Sequence, residues 1–127
     1  MEEKNLWGNL ENIEKVKTPI GILREQGALL TDATSGILKG TVTLNESYGS
    51  IDARLYIVAP ALDNYSYEIA NLSYSPKELY PVIVNSTFLD KYEECKSEET
   101  FCKVLEKILS SPEVSKIIQS LISQCES

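Results

Sequence analysis

The chain contains no histidine. That absence removes Ser-His-Asp and Cys-His nucleophilic catalysis, imidazole-bound metals and the one side chain that ordinarily titrates near neutral pH. Cysteine is scarce: Cys95, Cys102 and Cys125 lie in the last third, without a CxxC spacing. An odd count without that spacing argues against a disulfide framework or a thiolate zinc site, and no zinc, haem or other cofactor is expected. The longest apolar run, Leu55 to Leu62, falls far short of the roughly 20 residues that cross a bilayer. Phosphate-cradling loops of the GxxxxGK[ST] or GxGxxG kind are missing, as is a DxDxDG calcium loop. Lys and Arg form no cluster, so binding to nucleic acid by phosphate neutralisation is not expected. The acidic start, Met1-Glu-Glu-Lys, leads into no apolar stretch of the signal-peptide kind. These absences point to a cytoplasmic protein with reduced thiols and no membrane contact. The Asn-x-Ser/Thr triplets at Asn45, Asn64, Asn71 and Asn85 then read as turn and strand-edge residues.

What remains is an ordinary globular composition in 127 residues, 43% apolar and 24% charged. That length suits one domain with its own core, residues 1–127, without linker or repeat. Nineteen acidic residues against twelve basic ones give a net charge of −7, spread along the chain rather than gathered in a tail. Such a surface favours solubility and a basic partner.

Periodicity divides the chain into three blocks. Leu6, Leu10 and Ile13, with Trp7 beside them and Glu11–Lys15 paired at i,i+4, predict a short helix over 2–16, weakened by Gly8. Thr18-Pro19 is an N-cap followed by proline at the first helical position, opening a second helix to about Ala33. Its face of Ile20, Leu23, Gly27 and Leu30 lets another element approach closely at Gly27, and Gly36 marks its stop.

From Gly36 to Glu46 the period changes to two. Leu38, Gly40, Val42 and Leu44 alternate with Lys39, Thr41, Thr43 and Asn45, as in a strand with one wet face. A turn at Ser47–Ser50 leads to a strand over Ala53–Leu62, where Pro60 signals a bulge or an edge exit. Asp63-Asn64 turns into a strand over Tyr65–Tyr74. Ser75-Pro76-Lys77 turns into another over Tyr80–Val84, and a fifth extended segment is placed around Thr87–Glu93. Connections this short favour an antiparallel meander over parallel crossovers.

Ser97, followed by Glu98 and Glu99, caps a helix with the stripe Phe101, Val104, Leu105, Ile108 and Leu109. Ser111-Pro112 starts another with Val114, Ile117, Ile118, Leu121 and Ile122. Stripes this wide must be buried. The expected fold is α+β: an antiparallel meander of four to five strands with N-terminal and C-terminal helix pairs on one face, in the order ααββββ(β)αα.

Chemistry-bearing clusters are few. The doublets Glu2-Glu3, Glu93-Glu94 and Glu98-Glu99 point apart and read as solvated faces. Cys102 falls near a helix N-terminus, but Glu98 and Glu99 beside it oppose a reactive thiolate. The unusual feature is tyrosine, seven residues against two phenylalanines and one tryptophan. Tyr56, Tyr65, Tyr67 and Tyr74 fall in predicted strands. Strict alternation puts Tyr65 and Tyr67 on one face and Glu68 and Tyr74 on the other, with Arg54 able to pair with Glu68 across the Asp63-Asn64 turn. Tyrosine is enriched at interface cores, so Tyr56, Tyr65, Tyr67, Tyr74, Arg54 and Glu68 are the candidate partner-binding residues, with either Tyr65 and Tyr67 or Tyr74 joining the solvent face of the sheet. The expected function is that of a small non-enzymatic adaptor, inhibitor or immunity-type protein, with self-association through that face as a competitor. The alternative is a small-ligand module whose pocket lies between sheet and helices, with tyrosine hydroxyls, Asn71 and Gln26 as polar anchors. An enzyme would have to work with Tyr, Asp, Glu or Lys alone.

Overall fold

Thr18 opens the first helix. In the computed structural model, which describes residues 4–127, its hydroxyl accepts the Gly21 N–H at 3.0 Å, and α1 runs over Pro19–Ala33. Gly36, at φ +80°, follows the helix end in the left-handed region that favours glycine. Five strands follow: β1 (Lys39–Ser47), β2 (Ser50–Ala59), β3 (Tyr65–Tyr74), β4 (Val82–Asn85) and β5 (Glu93–Cys95). They pair antiparallel in sequence order, β1-β2-β3-β4-β5. Two helices close the chain, α2 (Glu98–Leu109) and α3 (Pro112–Cys125), and their starts are the predicted ones. Ser97 Oγ accepts the Thr100 N–H at 3.2 Å, and Ser111 Oγ accepts the Val114 N–H at 3.3 Å.

The expected α+β meander with helices on one face is therefore present, with corrections at both flanks. One helix, rather than two, precedes the sheet. Within 4–17 the chain makes a single 3-10 turn at Leu10–Asn12, and Leu6, Trp7, Leu10, Ile13 and Val16 are exposed. Glu2 and Glu3, the start of the expected helix, lie outside the described residues. The helical spacing is real, but short polar side chains hold the backbone elsewhere. Asn5 Oδ1 accepts the Trp7 N–H at 2.9 Å, Asn5 Nδ2 donates to the Gly8 carbonyl, and Gly8 sits at φ +81°. An isolated helix of this length is marginal without a surface to bury its stripe. At the other flank β5 occupies Glu93–Cys95. Thr87–Tyr92, expected as strand, instead form the connection from β4 to β5.

Pro60 ends β2 by starting a 3-10 turn over Pro60–Leu62, while the bulge lies earlier, between Leu55 and Tyr56. Leu55 pairs with Ala70 and Tyr56 with Glu68, so Ile69 is the extra residue on β3. Ile69 is buried, and its carbonyl accepts the hydroxyl of buried Ser86 at 2.7 Å. Ser86 Oγ in turn accepts the Phe88 N–H at 3.1 Å, which anchors the connection after β4.

The core lies between the sheet and the three helices. Leu38, Ala53, Leu55, Ile57, Leu72, Val82 and Val84 come from one sheet face, and Leu23, Phe101, Leu105, Ile108 and Val114 from the helices. Gly27 of α1 meets Gly40 of β1 backbone to backbone, as the glycine in the α1 stripe foretold: a Cβ on Gly27 would lie 2.9 Å from the Gly40 carbonyl oxygen.

Candidate functional site

The β3 bulge decides where the tyrosines go. Before it, Tyr65 and Tyr67 pair with Ala59 and Ile57; after it, Leu72 and Tyr74 pair with Ala53 and Ile51. Directly paired residues share a face. Ala53, Ile57 and Ala59 are buried under the helices, so Tyr65, Tyr67 and Tyr74 all belong to the helix side. The alternation that separated Tyr74 from Tyr65 and Tyr67 fails because the extra residue shifts the parity. Tyr74 is a core residue, only 6% exposed, and burial raises its hydroxyl pKa.

The open face of the sheet keeps Tyr56, Arg54 and Glu68. Arg54 Nη1 donates to Glu68 Oε1 at 2.9 Å and Arg54 Nη2 to Asp52 Oδ2 at 3.1 Å. The Arg54–Glu68 pair was legible from sequence. The hydrogen bond to Glu68, then that to Asp52, pushes the guanidinium pKa further up. Asn71 Nδ2 donates to Glu68 Oε2 at 3.4 Å. This cluster is self-satisfied. Together with Thr41 and Thr43 on the neighbouring strand it makes the face largely polar, and Tyr56 is half-buried within it.

Tyr65 and Tyr67 instead border a groove between the end of the sheet and α3. Its volume is about 590 Å³, with Leu62, Ile117 and Leu121 as apolar walls and Lys116, Ser120 and Gln124 as polar rim. The Tyr65 ring is 48% exposed. Tyr67 is half-buried against Phe88, ring centroids 6.4 Å apart and tilted by 42°. Sequence reasoning missed the α3 half of this groove. Its signal was the spacing of Lys116, Ser120 and Gln124 at i, i+4, i+8, a polar stripe beside Ile117 and Leu121.

A second, more apolar cleft separates α1 from α2 and α3. Leu30, Ile57, Leu109 and Ile118 line one section of about 260 Å³, and Ile22, Cys102, Leu105 and Glu106 line an adjoining one of about 430 Å³. Gln26 borders both sections, so the expected anchors Gln26 and Asn71 stand apart from each other and from the tyrosine groove. Neither Cys95 nor Cys102 is placed to form a reactive thiolate. Burial first, then Glu93, raises the Cys95 pKa; burial first, then Glu98, raises that of Cys102. Among the described residues no group of three or more Cys, Asp or Glu side chains is arranged to hold a metal ion, and no helix is long and apolar enough to cross a membrane. No family model matches this chain, and neither a curated protein nor a solved structure is detectably similar to it.

Proposed function

We propose that this chain is a small non-enzymatic protein-interaction protein, and that it seats a partner's apolar segment in the groove between β3 and α3. The observation that carries this reading is Tyr65, a large aromatic residue left half-exposed where it lines the groove together with Ile117 and Leu121. Tyrosine gives a large contact area with few rotatable bonds, and interface anchors sit in apolar pockets with polar rims. Lys116, Ser120 and Gln124 offer donors to the carbonyls of a seated chain. The net charge of −7 favours a basic partner in the encounter.

The test is affinity purification from the source cells with the wild-type protein and two variants, Tyr65→Ser and Arg54→Ser. A partner held by wild type and Arg54→Ser, and lost from Tyr65→Ser with its melting temperature intact, supports the groove. A partner lost from Arg54→Ser alone moves the interaction to the open sheet face and defeats this assignment. The groove volume also lies within the range of small-molecule sites, which favours a ligand-binding module as the second reading. A small molecule that co-purifies in native mass spectrometry and is lost with Tyr65→Ser would decide for it.

A further inference from the structure

β1 is an edge strand, nine residues long, and its outer side is only half covered. The hairpin to β2 has a two-residue turn, Tyr48-Gly49, with both residues at positive φ (50° and 78°), as in a type I′ turn. In such a hairpin the residues flanking the turn, Ser47 and Ser50, form a hydrogen-bonded pair, and every second residue repeats the pattern. The odd residues of β1 therefore direct their N–H and C=O groups to β2, and the even residues direct theirs outward. The capping hydrogen bonds agree with this parity. The Thr34 hydroxyl accepts the Leu38 N–H at 3.1 Å and lies 3.1 Å from the Leu38 carbonyl oxygen. The Thr31 hydroxyl accepts the Gly40 N–H at 3.1 Å, and the Gly40 carbonyl lies against Gly27.

Beyond Gly40 the cover stops. Among the described residues none supplies a hydrogen-bond partner to the outward N–H or C=O of Val42, Leu44 or Glu46. Leu44 is 47% exposed, and the uncovered stretch Val42–Glu46 has no proline and a single charge, at its end, Glu46. An open edge so lightly guarded is a template for another strand.

We infer that this edge pairs with the same edge of a second copy, antiparallel about a two-fold axis at Leu44. The argument for a second copy is self-complementarity. With Leu44 opposite Leu44 of the other molecule, Val42 falls opposite Glu46 and Glu46 opposite Val42. All six free groups of each chain are then satisfied, and the two exposed leucines meet. Centring the axis on Thr43 would bring Glu46 opposite Gly40, and centring it on Val42 would bring Leu44 opposite Gly40. Gly40 is already committed to α1, so the two threonine caps select the register. The result is one continuous ten-stranded sheet across the dimer, with the β3–α3 groove left free.

The experiment is light scattering after size exclusion across a wide concentration range, with amide hydrogen exchange on the same samples. Wild type is expected to be dimeric. The amides of Val42, Leu44 and Glu46 should gain protection as concentration rises, while those of Thr41, Thr43 and Asn45 stay protected throughout. Leu44→Pro removes only an outward N–H, which an edge position tolerates, and is expected to give a folded monomer. A wild-type monomer at all concentrations overturns the inference. So does a dimer whose three outward amides exchange freely, or a dimer that survives in folded Leu44→Pro. If Leu44→Pro does not fold, the exchange pattern of wild type alone decides. Protection of those amides that appears only on adding an unrelated extended peptide assigns the edge to a foreign strand and also overturns the inference.

Discussion

Gly27 and Gly40 touch through their backbones, so that neither position has room for a methyl group. The contact seats α1 on the edge strand and lets Thr31 and Thr34 reach the outward groups of Gly40 and Leu38. Gly40→Ala forces the two elements apart. The expected loss is about 1–3 kcal/mol or more, because a backbone neighbour cannot rotate away as a side chain can. Urea melts of Gly40→Ala beside Gly49→Ala separate this from general glycine effects. Gly49 has nothing within 4 Å of a Cβ, and its φ of 78° leaves only local backbone strain.

Tyr80 has a buried hydroxyl without a hydrogen-bond partner among the described residues. A buried polar group in that state costs about 1–3 kcal/mol. Tyr80→Phe keeps the ring and deletes the orphan oxygen, so it is expected to leave stability unchanged or raise it by about 1 kcal/mol. Thermal and urea melts check this. A clear loss would mean that the hydroxyl has a partner in solution.

Burial raises the pKa of the Cys95 thiol above its ordinary 9.0 and those of the Tyr74 and Tyr80 hydroxyls above their ordinary 10.0. Unfolded, each ionises at its ordinary value, so from there upward the folded state holds the extra protons. The stability these groups contribute is complete below about pH 9 and falls as pH climbs through the raised values. Urea midpoints should decline first above pH 9. Cys95→Ala, weaker at neutral pH through its cavity, should lose part of the decline that sets in above pH 9, with Cys102, whose pKa is also raised, keeping the rest.

Among the described residues, the segment ahead of α1 buries none of its large apolar side chains. Removing residues 1–16 keeps the Thr18 cap and every core residue, so the urea midpoint is expected to stay within about 0.5 kcal/mol of the full chain, the range of surface changes. A larger loss would show that Leu6, Trp7 and Leu10 pack in solution.

Where the chain carried its own start signal, sequence reading placed the element closely: Thr18-Pro19, Ser97 and Ser111-Pro112 mark helices whose caps the structure shows. Tyr65–Tyr74 emerged with its predicted bounds because turn residues flank it. The same reading failed where the outcome depended on a distant partner. The Leu6/Leu10/Ile13 stripe lacks a surface to pack on. Glu93–Cys95 becomes a strand because β4 lies beside it, which its own residues do not announce. Half of the tyrosine groove is legible in Tyr65 and Tyr67; the other half comes from α3, about fifty residues away in sequence.

Ile69 acts on the pleat as an inserted letter acts on a reading frame. Upstream of it β3 is read in one phase, with Tyr65 and Tyr67 toward the helices; downstream it is read in the other, with Leu72 and Tyr74 toward them. Deleting this one residue would restore strict alternation with every pair unchanged, since Glu68 already lies opposite Tyr56 and Ala70 opposite Leu55; what it would take away is the buried Ile69 side chain and the carbonyl that receives the Ser86 hydroxyl. The extra residue therefore serves the connection after β4, which it anchors, rather than the faces of β3.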